Sequence, residues 1–149
     1  MTNYKNELKK VMISNYENII AELQEELATK KGSSDLDENE TLDPEDYSTQ
    51  TVSNIMVSLL KEQIVKTEKD LERIRQIDFS VKEDAHVGAL VTTDMFNFFL
   101  GVATVPFLYE NKQIVGISVK APIYVNIQGK KVGDTFTFSG HKYTIHAIQ

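Results

Sequence analysis

The sequence predicts an α+β protein: a long N-terminal antiparallel α-helical coiled-coil hairpin, followed by a small antiparallel β domain with one short helix. Three observations predict it. Apolar residues recur at spacings of three and four through residues 1–77, strand-like alternation takes over from His86, and a run rich in carboxylates, Asp35 to Asp46, interrupts the helical half. That run holds seven acidic side chains and no basic one.

In the first segment the apolar positions are Leu8, Met12, Tyr16, Ile19, Leu23 and Leu27, one helical stripe, with a stop expected near Lys30, Lys31 and Gly32. The second segment carries Val52, Ile55, Met56, Leu59, Ile64, Leu71, Ile74 and Ile77. Asp43 before Pro44 is a good helix start, because a carboxylate can cap free amides and proline suits the first helical position. Neither helix can bury its stripe alone. Pairing them antiparallel buries both and leaves the charged connection far from any core. Packing both helices on the sheet is the alternative, and their broad polar faces argue against it.

These spacings divide the chain into a hairpin over residues 1–77 with its acidic tip at 32–46, a linker at 78–85 and a β domain at 86–149. Strand patterns appear in Val87 to Thr93, Phe96 to Val102, Gln113 to Ser118, Thr135 to Phe138 and Tyr143 to Ile148. Glu110-Asn111-Lys112 and Ser139-Gly140-His141 read as turns. Ala121 to Ile127 reads as a short helix, with Pro122 at its start and Gly129 just past its end.

The net charge of −6 is not spread evenly. Residues 1–31 carry five basic and five acidic side chains, 47–85 contribute −1 and 86–149 contribute +2, so the acidity belongs to the tip. The absence of cysteine excludes disulfides, thiolate metal sites and cysteine nucleophiles. No stretch approaches the roughly 20 apolar residues of a membrane span, and a cytoplasmic, membrane-free protein is expected. His86, His141 and His146 lack a metal-ligand spacing and read as surface residues. Phe96, Phe98, Phe99 and Phe107 fit a sheet core better than a ligand pocket. No phosphate-binding glycine loop or nucleophile triad is present.

The acidic run admits more than one reading. Concentrated carboxylates suit a divalent cation, and they equally suit a solvated connection. Asp35, Asp37, Asn39, Thr41 and Asp43 alternate as in a calcium loop, but Glu40 stands where the sharp turn needs glycine and Pro44 intrudes.

The run Ile117-Ser118-Val119-Lys120-Ala121-Pro122-Ile123, then Gly129-Lys130-Lys131-Val132-Gly133-Asp134, then Tyr143-Thr144-Ile145, resembles the C-terminal domain of the bacterial Gre transcript-cleavage factors. Asp35-Leu36-Asp37-Glu38-Asn39 is similar to the D-L-x-E-N core of that family's tip. The resemblance implies an FKBP-like C-terminal domain that docks on RNA polymerase, with the hairpin entering the secondary channel toward the nascent RNA 3′ end. It places Asp35 and Glu38 on the family's two catalytic carboxylates, which complete a weak Mg²⁺ site shared with the polymerase. The factor would be no enzyme itself and would stimulate the polymerase's own nuclease. Ser118, Pro122, Ile123, Lys130, Lys131, Gly133 and Asp134 are the expected partner-binding residues, and a monomer is expected. Two departures stand out. In the tip, Asp37 replaces the family's lysine, and Glu40 and Thr41 replace the residues after the asparagine, followed by extra residues to Tyr47; early in the second helix, where the family tends to carry basic residues, Thr49 to Asn54 has none. The altered tip opens the alternative of a channel-binding regulator without cleavage activity. A third reading, a folding helper, follows from the isomerase-like fold and requires an open aromatic pocket.

Overall fold

The computed structural model describes residues 2–34 and 44–149, with side chains described for 4–30 and 51–149. Two helices of 33 residues come first, α1 (Thr2–Ser34) and α2 (Pro44–Gln76). Helix α1 continues through Gly32, past the expected stop, since one interior glycine weakens a helix by only about 1 kcal/mol. Helix α2 begins at Pro44, as proline's fixed φ favours. The helices run antiparallel. Lys9 Nζ donates to the Arg75 carbonyl at 3.2 Å, and one turn and more further along α1, Tyr16 feels the charge of Asp70, which lies earlier in α2.

The chain divides into two compact units, one of residues 14–72 and one of residues 1–13 with 73–149. In the first unit the seam is built from Tyr16, Leu60 and Ile64, with Leu71 also buried and Ile20, Leu23, Leu27, Val57 and Thr67 half-buried. This corrects the sequence stripe at five positions. Ile19, Val52, Ile55, Met56 and Leu59 are exposed, by 36 to 57 %. Positions 57, 60, 64, 67, 71 and 74 alternate steps of three and four, the 3.5-residue period that keeps a seam facing its partner. The step of five from Leu59 to Ile64 instead turns about 140° around the helix, so the two cannot share one face.

In the second unit six strands form one sheet in the order β3-β4-β2-β1-β6-β5. They are β1 (Leu90–Thr93), β2 (Asn97–Leu100), β3 (Phe107–Tyr109), β4 (Lys112–Ile117), β5 (Thr135–Phe138) and β6 (His141–Ile148), with α3 (Pro122–Ile127) between β4 and β5. Strand β3 is an addition to the sequence reading. It also accounts for the one departure from an antiparallel sheet: β2 and β4 pair in parallel, because the chain leaves β2, forms β3 at the edge and returns as β4 in the space between. Both two-residue hairpins fall where turns were expected, with positive φ at Glu110 and Asn111 and at Ser139 and Gly140.

Each face of the sheet is covered. Phe98, Leu100, Phe136, Tyr143 and Ile145 pack with Ile123, Tyr124 and Ile127 of α3. The rings of Phe136 and Tyr143 stack at 5.0 Å, and Phe98 meets Tyr143 edge-on at 5.8 Å. On the other side Phe99 stacks on Phe79 at 4.9 Å, Lys9 Nζ lies 5.4 Å over the Phe79 ring, and Leu8, Met12, Ile74 and Ile114 are fully buried. Each such side chain contributes about 1.5 to 3 kcal/mol by leaving water.

Candidate functional site

Asp35 and Glu38 lie outside the described residues, as do Asp37, Asn39, Glu40, Thr41 and Asp43. Helix α1 ends at Ser34 and α2 begins at Pro44, so residues 35–43 of the acidic run join them and Glu45 and Asp46 belong to the first turn of α2. Among the described residues no group of three or more histidines, cysteines or carboxylates could hold a metal ion. His86 is exposed and its Nδ1 lies 2.7 Å from Asp84 Oδ1, while His141 and His146 are exposed on β6. The four phenylalanines split as strand alternation dictates: Phe98 and Phe99 are buried on opposite faces, Phe107 is half-buried and Phe96 is 38 % exposed.

The seven residues expected to meet a partner lie around α3 and the loop after it, and most of them shape the chain. The Ser118 carbonyl accepts from the Ala121 amide at 2.9 Å and its Oγ accepts from the Lys120 amide at 3.2 Å, which turns β4 into α3. Pro122 opens α3 without a side-chain cap before it. Ile123 is 8 % exposed and serves the core, because the first turn of α3 aims it at the sheet. Gly129 donates to the Ala85 carbonyl and the Lys130 carbonyl accepts from Ala85, which fastens the linker to this loop. Asp134 Oδ2 accepts from the Lys131 amide at 2.8 Å and closes the turn. Gly133 sits at φ 91, where a side chain is strained although nothing lies near. Lys131 presents an exposed side chain beside a half-buried Lys130, and these two cations are what the segment offers a negatively charged surface.

One residue that the sequence reading passed over organises this unit. Lys5 is fully buried, and its Nζ donates to the carbonyls of Ser80 and Gln149 at 2.9 Å each and to that of Gly88. Burial, aided by the nearby Lys82, pushes its pKa down to about 8, against an opposing pull from Asp78. A signal was present in the sequence: Lys5 stands three residues before Leu8 and seven before Met12, a charge on the apolar stripe. Asp78 Oδ1 accepts from the Ser80 amide at 2.9 Å and its Oδ2 from Ser80 Oγ at 3.0 Å. Lys82 Nζ lies 3.0 Å from Asp78 and 2.8 Å from Ser80 Oγ. The Ser80 amide first, then the side-chain donors of Lys82 and Ser80, hold the Asp78 carboxyl far below the usual range. The linker is thus pinned from both sides, by α1 through Lys5 and by its own Asp78-Ser80-Lys82 turn.

No family model matches the chain, and no curated protein matches it. Among solved structures it is similar to GreA factor homolog 1 (Gfh1) of Thermus thermophilus, at 16 % identity and a TM-score of 0.34, covering 96 % of this chain and 93 % of that one. Gfh1 of Thermus aquaticus is similar at 14 % identity and a TM-score of 0.38, covering 99 % and 96 %. A structure described as the transcription factor Gfh1 is similar at 17 % identity and a TM-score of 0.35, covering 99 % and 95 %. Among the described residues no helix is long and apolar enough to cross a membrane.

Proposed function

We propose that this chain is a Gre-type transcription elongation factor that binds RNA polymerase through its secondary channel and stimulates cleavage of backtracked RNA. The observation that carries the reading is the placement of the carboxylate run between the ends of two paired 33-residue helices, on a chain whose other half bears the Ile117 to Asp134 segment of Gre-like sequence. A helical pair of this kind carries charge that a core could not accept.

In this reading Asp35 and Glu38 hold a Mg²⁺ ion jointly with the polymerase. The donor set fits, since Mg²⁺ takes oxygen ligands and is commonly held by one or two carboxylates. When bound, the ion supplies activation of water and stabilisation of the leaving oxygen in phosphoryl transfer. The chain's own part is positioning. The paired helices carry the two carboxylates, and the β domain with Lys130 and Lys131 meets the polymerase surface. Nascent RNA is approached only through the polymerase active site, and the chain works in the cytoplasm with that enzyme.

A second reading, a channel-binding regulator without cleavage activity, is favoured by Asp37, which puts a carboxylate where the family tip has a lysine, and by Glu40, which adds another after the asparagine. The folding-helper reading is disfavoured, because the rings of Phe98, Phe136 and Tyr143 are buried and packed with α3, not open to a proline from solvent. A cleavage assay on stalled elongation complexes of the cognate polymerase separates the first two: shortened transcripts support the elongation factor, and channel occupancy without shortening supports the regulator.

A further inference from the structure

Of the two pins on the linker, only one reaches another segment. The Asp78-Ser80-Lys82 turn is internal to it. Among the described residues, the main chain of residues 78–83 makes one hydrogen bond beyond itself, where the Ser80 carbonyl accepts from Lys5 Nζ at 2.9 Å. Two side chains add to it. Phe79 is buried on Phe99 with Lys9 over its ring, and the stem of half-buried Lys82 lies beside Gly88. Asp78, Ser80, Val81 and Glu83 face solvent. Both ends, in contrast, are fast. Ile77 is buried and donates to the Arg73 carbonyl at 3.1 Å, while Asp84 bridges to Lys131 and the fully buried Ala85 is bonded to Gly129 and Lys130.

We propose that residues 78–83 are a strap over Lys5 that opens as one piece while the rest of its unit stays folded. The internal turn makes this motion simple, since the bonds that shape the strap need not break when it lifts. Opening gives up one ring stack, one hydrogen bond and the contact of the Lys82 stem, whereas unfolding gives up the whole core, and segments with so few ties open locally well before the molecule unfolds. The closed position requires a bare Gly88. A Cβ there would overlap the Asp78 carbonyl, so the strap rests directly on main chain. What opening uncovers is chemically distinct: the Lys5 amine, fully buried when the strap is closed, loses one of its three acceptors and meets water on that side. The strap is a property of this unit alone and does not depend on polymerase binding.

Trace acetylation of the full chain with a succinimidyl ester at fixed pH, located residue by residue by mass spectrometry, reads the opening at Lys5. The wild-type chain should label Lys5 more slowly than the exposed Lys112 and Lys142. Its Lys5 rate should stay nearly constant as urea is raised below the unfolding transition, because a local opening exposes little surface. Phe79→Ala removes the ring that holds the strap, and should speed labelling of Lys5 on the order of a hundredfold while Lys112 and Lys142 keep their rates. Lys5 labelled only as the chain unfolds, with a rate that climbs with urea in step with the global transition, overturns the proposal in the wild-type chain itself, whether or not Phe79→Ala folds. So does a Phe79→Ala chain of native circular dichroism whose Lys5 is labelled no faster than in the wild type.

Discussion

Lys5 Nζ donates to the carbonyl oxygen of Gln149 at 2.9 Å, so the beginning of α1 is fastened to the residue that follows β6. The same ammonium serves Ser80 and Gly88, and it therefore joins three segments far apart in sequence. Lys5→Met keeps the aliphatic stem but removes the donor to the Ser80 and Gly88 carbonyls, Gln149 keeping the Leu90 amide, at about 1 to 3 kcal/mol for each group left wholly unsatisfied. Urea denaturation should show a lowered midpoint with an unchanged slope.

The proton on Lys5 gives a pH test. Its folded pKa of about 8 lies below the ordinary 10.5, so between those values the unfolded chain holds a proton that the folded chain has released. Stability should rise with pH through that window, and Lys5→Met should lose the rise. Tyr16 acts oppositely, since burial and Asp70 push it up to about 12; its contribution is complete below 10 and declines only above that. The comparison of midpoints for the two proteins belongs between pH 8 and 10, and a wild-type curve that falls there relative to Lys5→Met contradicts the assignment.

Leu59 and Leu60 are adjacent in sequence and opposite in circumstance, 57 % and 7 % exposed. Leu60→Ala should destabilise the chain by about 2 to 5 kcal/mol, and Leu59→Ala by less than about 0.5. Equal losses would restore the stripe first read from the sequence.

Gly88 and Gly133 separate two reasons for glycine. At Gly133 only the positive φ of 91 stands against a side chain, so Gly133→Ala should cost about 1 to 2 kcal/mol. At Gly88 a Cβ would also overlap the Asp78 carbonyl and crowd Lys82, beside the carbonyl that Lys5 uses. Thermal melts should show the larger loss for Gly88→Ala.

The hairpin, the short helix and both turns were legible in the sequence because each rests on local chemistry: helical period, Pro122 before Ile123, and turn residues that accept positive φ. Three features were not. The choice of Leu60 over Leu59 depends on which seam the partner helix can hold in step, a non-local condition. Strand β3 is three residues long, and the parallel pairing of β2 with β4 follows from it. The role of Lys5 required knowing that Ser80, Gly88 and Gln149 converge. Of the candidate site, the segment from Ser118 to Asp134 proved rich in residues that shape the chain, as the hydrogen bonds of Ser118 and Asp134 and the burial of Ile123 show.

The proposed cleavage activity turns on the two tip carboxylates, Asp35 and Glu38. In the transcript-cleavage assay with stalled complexes, Asp35→Asn and Glu38→Gln should abolish stimulation with polymerase binding intact, and raised Mg²⁺ should partly restore it, because losing one ligand weakens an already weak site. Asp43→Asn should change little, because it removes one of seven like charges that salt screens. Stimulation by wild-type protein that Asp35→Asn and Glu38→Gln leave untouched would contradict the account.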